Sequence, residues 1–136
     1  MATFISRSPA ETESFAERIA ATCSPGTVIG LTGDLGAGKT QFVKGLARGL
    51  GCTSLVHSPT FALLHSYSGG RHPLFHLDLY RLETQAQIEQ AGLEEYFAPD
   101  GVTVVEWFER WQGPRPEKFH SIRFEIVSET ERAIHF

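Results

Sequence analysis

The chain has 136 residues, a length that suits one domain spanning 1–136. Hydrophobic residues are 41% and charged residues 21%, enough for a buried core with little chain left for a separate substrate domain. The net charge of −4, from 12 basic and 16 acidic residues, argues against a stand-alone nucleic-acid binder, which usually carries a basic excess.

MATFISRSPAETESF shows no apolar core of signal-peptide length. No run in the chain approaches the ~18 apolar residues that a membrane span needs. A cytoplasmic protein is therefore expected. Ser8 and Pro9 have the chemistry of a helix cap and first turn. Phe15, Ile19 and Ala20 recur at helical spacing, so an amphipathic helix is predicted over 9–22. Pro25-Gly26 turns the chain into TVIGLTG (27–33), a strand of the type buried on both faces. The glycine-rich loop comes next. Phe42, Leu46 and Leu50 mark the following helix, which should stop near Gly49 and Gly51.

FALLHSY and PLFHLDLYRL (73–82), separated by Gly69-Gly70, read as an antiparallel hairpin. In the second arm Phe75, Leu77 and Leu79 alternate with His76, Asp78 and Tyr80. Thr84 is a cap for a helix to about Gln90, and LEEYF adds a turn beyond Gly92. VTVVEW (102–107) is a second buried-type strand, and residues 119–127 and 131–136 form a closing hairpin. The expected architecture is α/β: a P-loop nucleotide-binding fold whose mixed sheet has a parallel core, antiparallel edge strands and flanking helices. Cys23 and Cys52 match no metal or redox spacing and are expected to be buried free thiols.

GDLGAGKT (33–40) carries the chemistry. Gly33, Gly38, Lys39 and Thr40 fit G-x-x-x-x-G-K-[ST] between a predicted strand and a predicted helix. Glycines let backbone N–H groups approach phosphates, and the helix start adds unpaired donors and a positive dipole end. The nucleotide-binding stretch is therefore Gly33, Asp34, Leu35, Gly36, Ala37, Gly38, Lys39, Thr40 and Gln41. Lys39 sets a cation beside the β and γ phosphates, and the Thr40 hydroxyl is a ligand for Mg²⁺.

Magnesium also calls for a carboxylate. Glu106 ends the apolar run VTVV, so it should emerge at the carboxyl end of a core strand, where ligands sit in open α/β sheets. It is the favoured direct ligand. Asp78 can hold the metal through water or orient an attacking water, or it can serve structure by bonding Tyr80 or Arg81. Thr60, in a loop after the nucleotide helix, is either a γ-phosphate sensor or an ordinary turn residue. His72 and His76 have helical metal-ligand spacing, but Pro73 and the strand pattern keep them off a shared helix face. Arg81, Arg110 and Arg115 read as surface charges, and Trp111 as a buried aromatic.

Taken together, GDLGAGKT (33–40), SPTF (58–61), HLDLYRL (76–82), GLEEYF (92–97) and VEW (105–107) resemble the TsaE (YjeE-like) family, the ATPase component of bacterial tRNA threonylcarbamoyladenosine synthesis. The resemblance spans roughly residues 8 to 136. It implies ATP and Mg²⁺ as cofactors, with Lys39 on the phosphates and Thr40 plus Glu106 on the metal. Asp78 is then the catalytic or switch acid, Thr60 part of a switch-like loop, and Trp107 a neighbour of the nucleotide. It implies TsaD and TsaB proteins as partners, tRNA being reached mainly through their complex, and weak hydrolysis that rises in that complex. The family usually has a second hydroxyl residue after the loop threonine, where this chain has Gln41, so only the glutamine N–H is offered to the α-phosphate. The residues holding adenine are poorly marked, the candidates being Pro9–Thr12 and Glu131–Arg132.

Two other functions compete. A P-loop small-molecule kinase would add a lid and an arginine-rich acceptor pocket, and no such insertion or cluster lies between Gly51 and Phe136. A nucleotide-gated scaffold would bind ATP without hydrolysing it.

Overall fold

The protein's structure, a computed structural model, describes residues 1–34, 36–57 and 64–136, with the backbone alone at 55–57. Eight strands form one sheet: β1 Thr3–Ser6, β2 Thr27–Thr32, β3 Ser54–His57, β4 Leu64–Ser68, β5 Leu74–Asp78, β6 Val102–Glu106, β7 Lys118–Ile126 and β8 Arg132–His135. Their spatial order is β1-β8-β7-β2-β6-β5-β4-β3. The central pairs β7–β2, β2–β6 and β6–β5 are parallel, and the outer pairs are antiparallel. A parallel core with antiparallel margins is the architecture the sequence predicts.

The helices are α1 Pro9–Ala20, α2 Lys39–Gly49 and α3 Gln85–Gln90, with a 3-10 turn at Leu93–Phe97. Ser8 caps α1 from extended backbone, its side chain accepting the Glu11 N–H at 3.1 Å, and Pro9 opens the first turn. Thr84 and Gln87 form a reciprocal capping box on α3. Two apolar layers sandwich the sheet. Phe15, Phe42 and Leu46 of α1 and α2 pack on Ile29, Leu31 and Val104 of one face. Ile88, Leu93 and Trp111 pack on Val28, Leu77 and Val105 of the other. Alternation along each strand divides its side chains between the layers. The α1–α2 contact depends on Gly45, where a β-carbon would run into the Glu13 backbone and the Ala16 methyl.

Several boundaries differ from expectation. Helix α1 ends at Ala20 rather than 22, and the strand predicted over 73–82 ends at Asp78. The Asp78 carboxylate accepts the Tyr80 N–H at 3.0 Å, and Leu82 N donates to the Leu79 carbonyl, so the chain turns there. Strand β6 stops at Glu106 because Trp107 has left-handed backbone, φ 59, the one positive φ outside glycine among the described residues. Strands β1 and β3 escaped the sequence reading: each has four residues at a sheet margin, too short for a periodic signal. Cys23 is buried as expected, but Cys52 is only half-buried; both thiols are free.

Candidate functional site

The loop after β2 leads straight into α2. Ala37 N donates to the Asp34 carbonyl at 3.1 Å, and Gly38 occupies the helix cap with φ 99, a conformation that a side chain would strain. No side chain caps this helix start. Its first-turn N–H groups lack intrahelical partners and lie at Lys39, Thr40 and Gln41, all of which line one cavity of about 690 Å³.

Register sets the facing wall. Parallel pairing aligns Leu31 with Glu106 and Glu106 with Asp78 at the carboxyl ends of three adjacent strands. Glu106 shares a sheet face with Val104 and Val102, the face covered by α1 and α2. Both carboxylates therefore meet the start of α2, and both line the cavity with Thr40. Asp78 does two jobs: one oxygen holds its turn, while the side chain borders the cavity. Glu106 is 6% exposed, and its Oε2 lies 2.5 Å from His76 Nε2.

Lys39 is 4% exposed. Its ammonium donates to the Gly33 carbonyl at 2.5 Å and sits 3.8 Å from the centre of the Trp107 ring. Burial pushes its pKa below the ordinary lysine value, against the opposing pull of Glu109, Glu106, Asp78 and Asp34. Trp107 in turn packs on Tyr80, with ring centres 5.2 Å apart. Arg110 stacks over both rings and donates to the carbonyls of Tyr80 and Leu82, so it braces the rim of the cavity.

The outer end of the cavity comes from elsewhere. Arg7, Ser8, Pro9 and Thr12 contribute from the β1–α1 junction, and Glu129, Thr130 and Arg132 from the β7–β8 turn. Arg132 donates to the carbonyls of Gly36, Ser128 and Glu131 and so ties that turn to the glycine loop.

The structure thus brings together Gly36, Gly38, Lys39, Thr40, Gln41, Asp78, Glu106 and Trp107. Gly33 touches the group through its carbonyl. Leu35 and Thr60 lie outside the described residues. Trp111 is buried and donates to the Pro114 carbonyl, away from the cavity. Sequence reasoning missed His76 as the partner of Glu106. The signal was present: His76 precedes Asp78 by two in a strand, so the two share a face. Arg132 was among the adenine-side candidates, but its bond to the Gly36 carbonyl had no local signal, since 96 residues separate the two.

Among the described residues no three His, Cys, Asp or Glu side chains converge on a metal position. The donors that Thr40, Asp78 and Glu106 offer, one hydroxyl and two carboxylates, are hard oxygens. They suit Mg²⁺, which takes few protein ligands and fills its shell with water and phosphate oxygens. Among the described residues no helix is long and apolar enough to cross a membrane.

A parallel-core α/β sheet, a glycine loop running from a central strand into a helix, and acids on the neighbouring strand ends define a protein of the P-loop class. Comparison narrows the class. The family model described as "Threonylcarbamoyl adenosine biosynthesis protein TsaE" matches residues 6–134, and the chain belongs to that family. It is 44% identical over 128 residues to the tRNA threonylcarbamoyladenosine biosynthesis protein TsaE of Bacillus subtilis, covering 94% of this chain and 80% of the relative. To the protein of the same name from Treponema pallidum it is 39% identical, covering 96% of each. The crystal structure of YdiB from Bacillus subtilis superposes with a TM-score of 0.77 at 38% identity, covering 98% of this chain and 82% of that one.

Proposed function

We propose that this chain binds and hydrolyses ATP in the tRNA N6-threonylcarbamoyladenosine (t6A37) modification machinery, using Mg-ATP hydrolysis to cycle a TsaD–TsaB complex. The observation that carries the reading is one cavity in which Lys39 and Thr40 at a helix start face Glu106 and Asp78 at adjacent strand ends. The names of the relatives support the pathway.

The backbone N–H groups from Gly36 to Gln41 bind the phosphates, and Lys39 leaves the Gly33 carbonyl to place its charge on them. Thr40 and Glu106 would hold Mg²⁺, which would supply charge neutralisation at the phosphates. Asp78 orients the attacking water, accepting its hydrogen bond with the carboxylate that the Tyr80 turn already fixes. Trp107 and Tyr80 shield this end from bulk solvent. The base and ribose lie toward Pro9, Thr12 and Arg132. ATP and ADP states must hold the partners with different affinity for hydrolysis to drive a cycle.

Phosphate release from Mg-ATP, alone and with TsaD and TsaB, tests the reading. Weak turnover that rises with the partners is expected, and Glu106→Ala and Lys39→Ala should lack it. If both variants hydrolyse like the parent, the site assignment is wrong. Transfer of labelled phosphoryl to a small metabolite would instead make the protein a kinase.

A further inference from the structure

His76 lies in β5, a strand paired on both sides, one row inward from the acids. Its register partner on β6 is Val104, and from there Nε2 reaches diagonally to Glu106 Oε2 at 2.5 Å. Both side chains are buried, 10% and 8% exposed. His76 Nδ1 is a buried atom with no hydrogen-bond partner, the one such atom among the described residues. The His65 ring, directly across β4, packs against the His76 ring with centres 5.9 Å apart and planes tilted by 43°.

We propose that His76 is the positioning residue of Glu106: its imidazole Nε2–H holds one carboxylate oxygen, so that the other is kept for the metal. The proposal rests on the reading of Glu106 as a metal ligand. Three observations converge on it. The Nε2–Oε2 contact needs a proton on Nε2 to be a hydrogen bond between an imidazole and a carboxylate. Nδ1 has no partner among the described residues that would draw the ring another way, so the contact to Glu106 is the hydrogen bond that orients it. Finally, Glu106 Oε1 accepts no hydrogen bond among the described residues, while the residue itself borders the cavity with Thr40.

The logic is that of outer partners in metal sites generally: the group behind the ligand fixes its rotamer, and its loss costs 10–100-fold in metal affinity. A free carboxylate on a Glu side chain samples several rotamers. One held from behind by a group on a central strand does not. His76 touches neither phosphate nor metal in this scheme, so it acts through Glu106 alone.

The test separates metal from nucleotide. Affinity for the β,γ-imido analogue of ATP is measured by calorimetry in Mg²⁺ and in EDTA, for the parent, His76→Leu, His76→Gln and Glu106→Ala. In EDTA, His76→Leu should bind within about twofold of the parent. The gain in affinity on adding Mg²⁺ should shrink by about tenfold. His76→Gln, whose amide can donate to the same oxygen, should recover most of it. Glu106→Ala should remove the gain. If Glu106→Ala keeps the gain, Glu106 is no ligand and the proposal falls with that reading. If Glu106→Ala loses it while His76→Leu keeps it, the metal reading stands and His76 is not its positioning residue. Equal weakening of His76→Leu with and without Mg²⁺ would mean a merely structural role and would also overturn the proposal. Should His76→Leu fail to fold, ¹⁵N spectra of the parent decide: a proton on Nε2 in a hydrogen bond to Glu106 is expected, and a bare Nε2 sinks the proposal.

Discussion

The two ends of the cavity are built on different principles. The inner end, Lys39, Thr40, Asp78 and Glu106, stands on the ends of parallel core strands and the first turn of α2. Beneath it lie Phe42, Leu31 and Val104, all but inaccessible to solvent. The outer end, Arg7, Ser8, Pro9 and Thr12 with Glu129, Thr130 and Arg132, is made of the β1–α1 junction with the start of α1 and of the β7–β8 turn with the start of β8. Its shape depends on β1 pairing with β8, and on Ala2 and Phe136 exchanging backbone hydrogen bonds at the meeting of the two chain ends. The contrast teaches where precision is needed. On the proposed reading, phosphoryl transfer tolerates little misplacement and its groups stand on rigid elements. Recognition of the rest of a nucleotide would tolerate more, and element junctions would suffice.

The largest effect should come from cutting the support under the inner end. Phe42 is fully buried and meets Phe124 edge to face at 5.8 Å. Phe42→Ala is expected to lower stability by about 3–5 kcal/mol, read from urea unfolding. A loss below ~1 kcal/mol would mean that the inner end does not rest on a packed core. Next is Glu106→Gln, which keeps the shape and removes the charge. Turnover with TsaD and TsaB should fall by about 100-fold or more, in line with the several kcal/mol that a metal clamp contributes. A matching fall for a change at the outer end would erase the contrast.

Smaller is Ser8→Ala at the outer end. Loss of the bond to Glu11 N should destabilise the fold by about 1 kcal/mol in the same urea measurement. The difference between magnesium and EDTA in nucleotide affinity should survive this change. The smallest effect concerns pH. Because burial holds the Lys39 pKa below its ordinary value, the unfolded chain binds that proton more tightly than the folded one. Stability from this residue therefore rises as pH climbs from the folded value to the ordinary lysine value. Lys39→Met should raise the thermal unfolding temperature slightly at pH 7, and the gain should fade toward alkaline pH. A gain that grows with pH would contradict the sign of the shift.

Much of the inner end was legible in the chain. Loop chemistry lies within eight consecutive residues, and the run VTVV pointed to Glu106 at a strand end. Of the two readings of Asp78, the structural bond at Tyr80 is present, and the side chain also borders the cavity. The alternation of 73–82 was right in phase but overran its strand, because a local carboxylate–amide turn outcompeted continued pairing. The outer end was marked only by the resemblance, which pointed at Pro9–Thr12 and Glu131–Arg132. Of these, Pro9, Thr12 and Arg132 line the cavity.

The sequence by itself determined most of the pieces: the longer strands of the sheet, where α1 and α3 are capped, and the glycine-rich bend that leads into α2. These depend on side-chain period, cap chemistry and glycine backbone freedom, all of which act within a few residues. Tertiary structure alone decided the strand order that sets Asp78 beside Glu106, the diagonal reach of His76 across 30 residues, and the hold of Arg132 on Gly36 across 96. Those contacts follow from register between strands distant in the chain, and no local preference encodes which strand will be a neighbour.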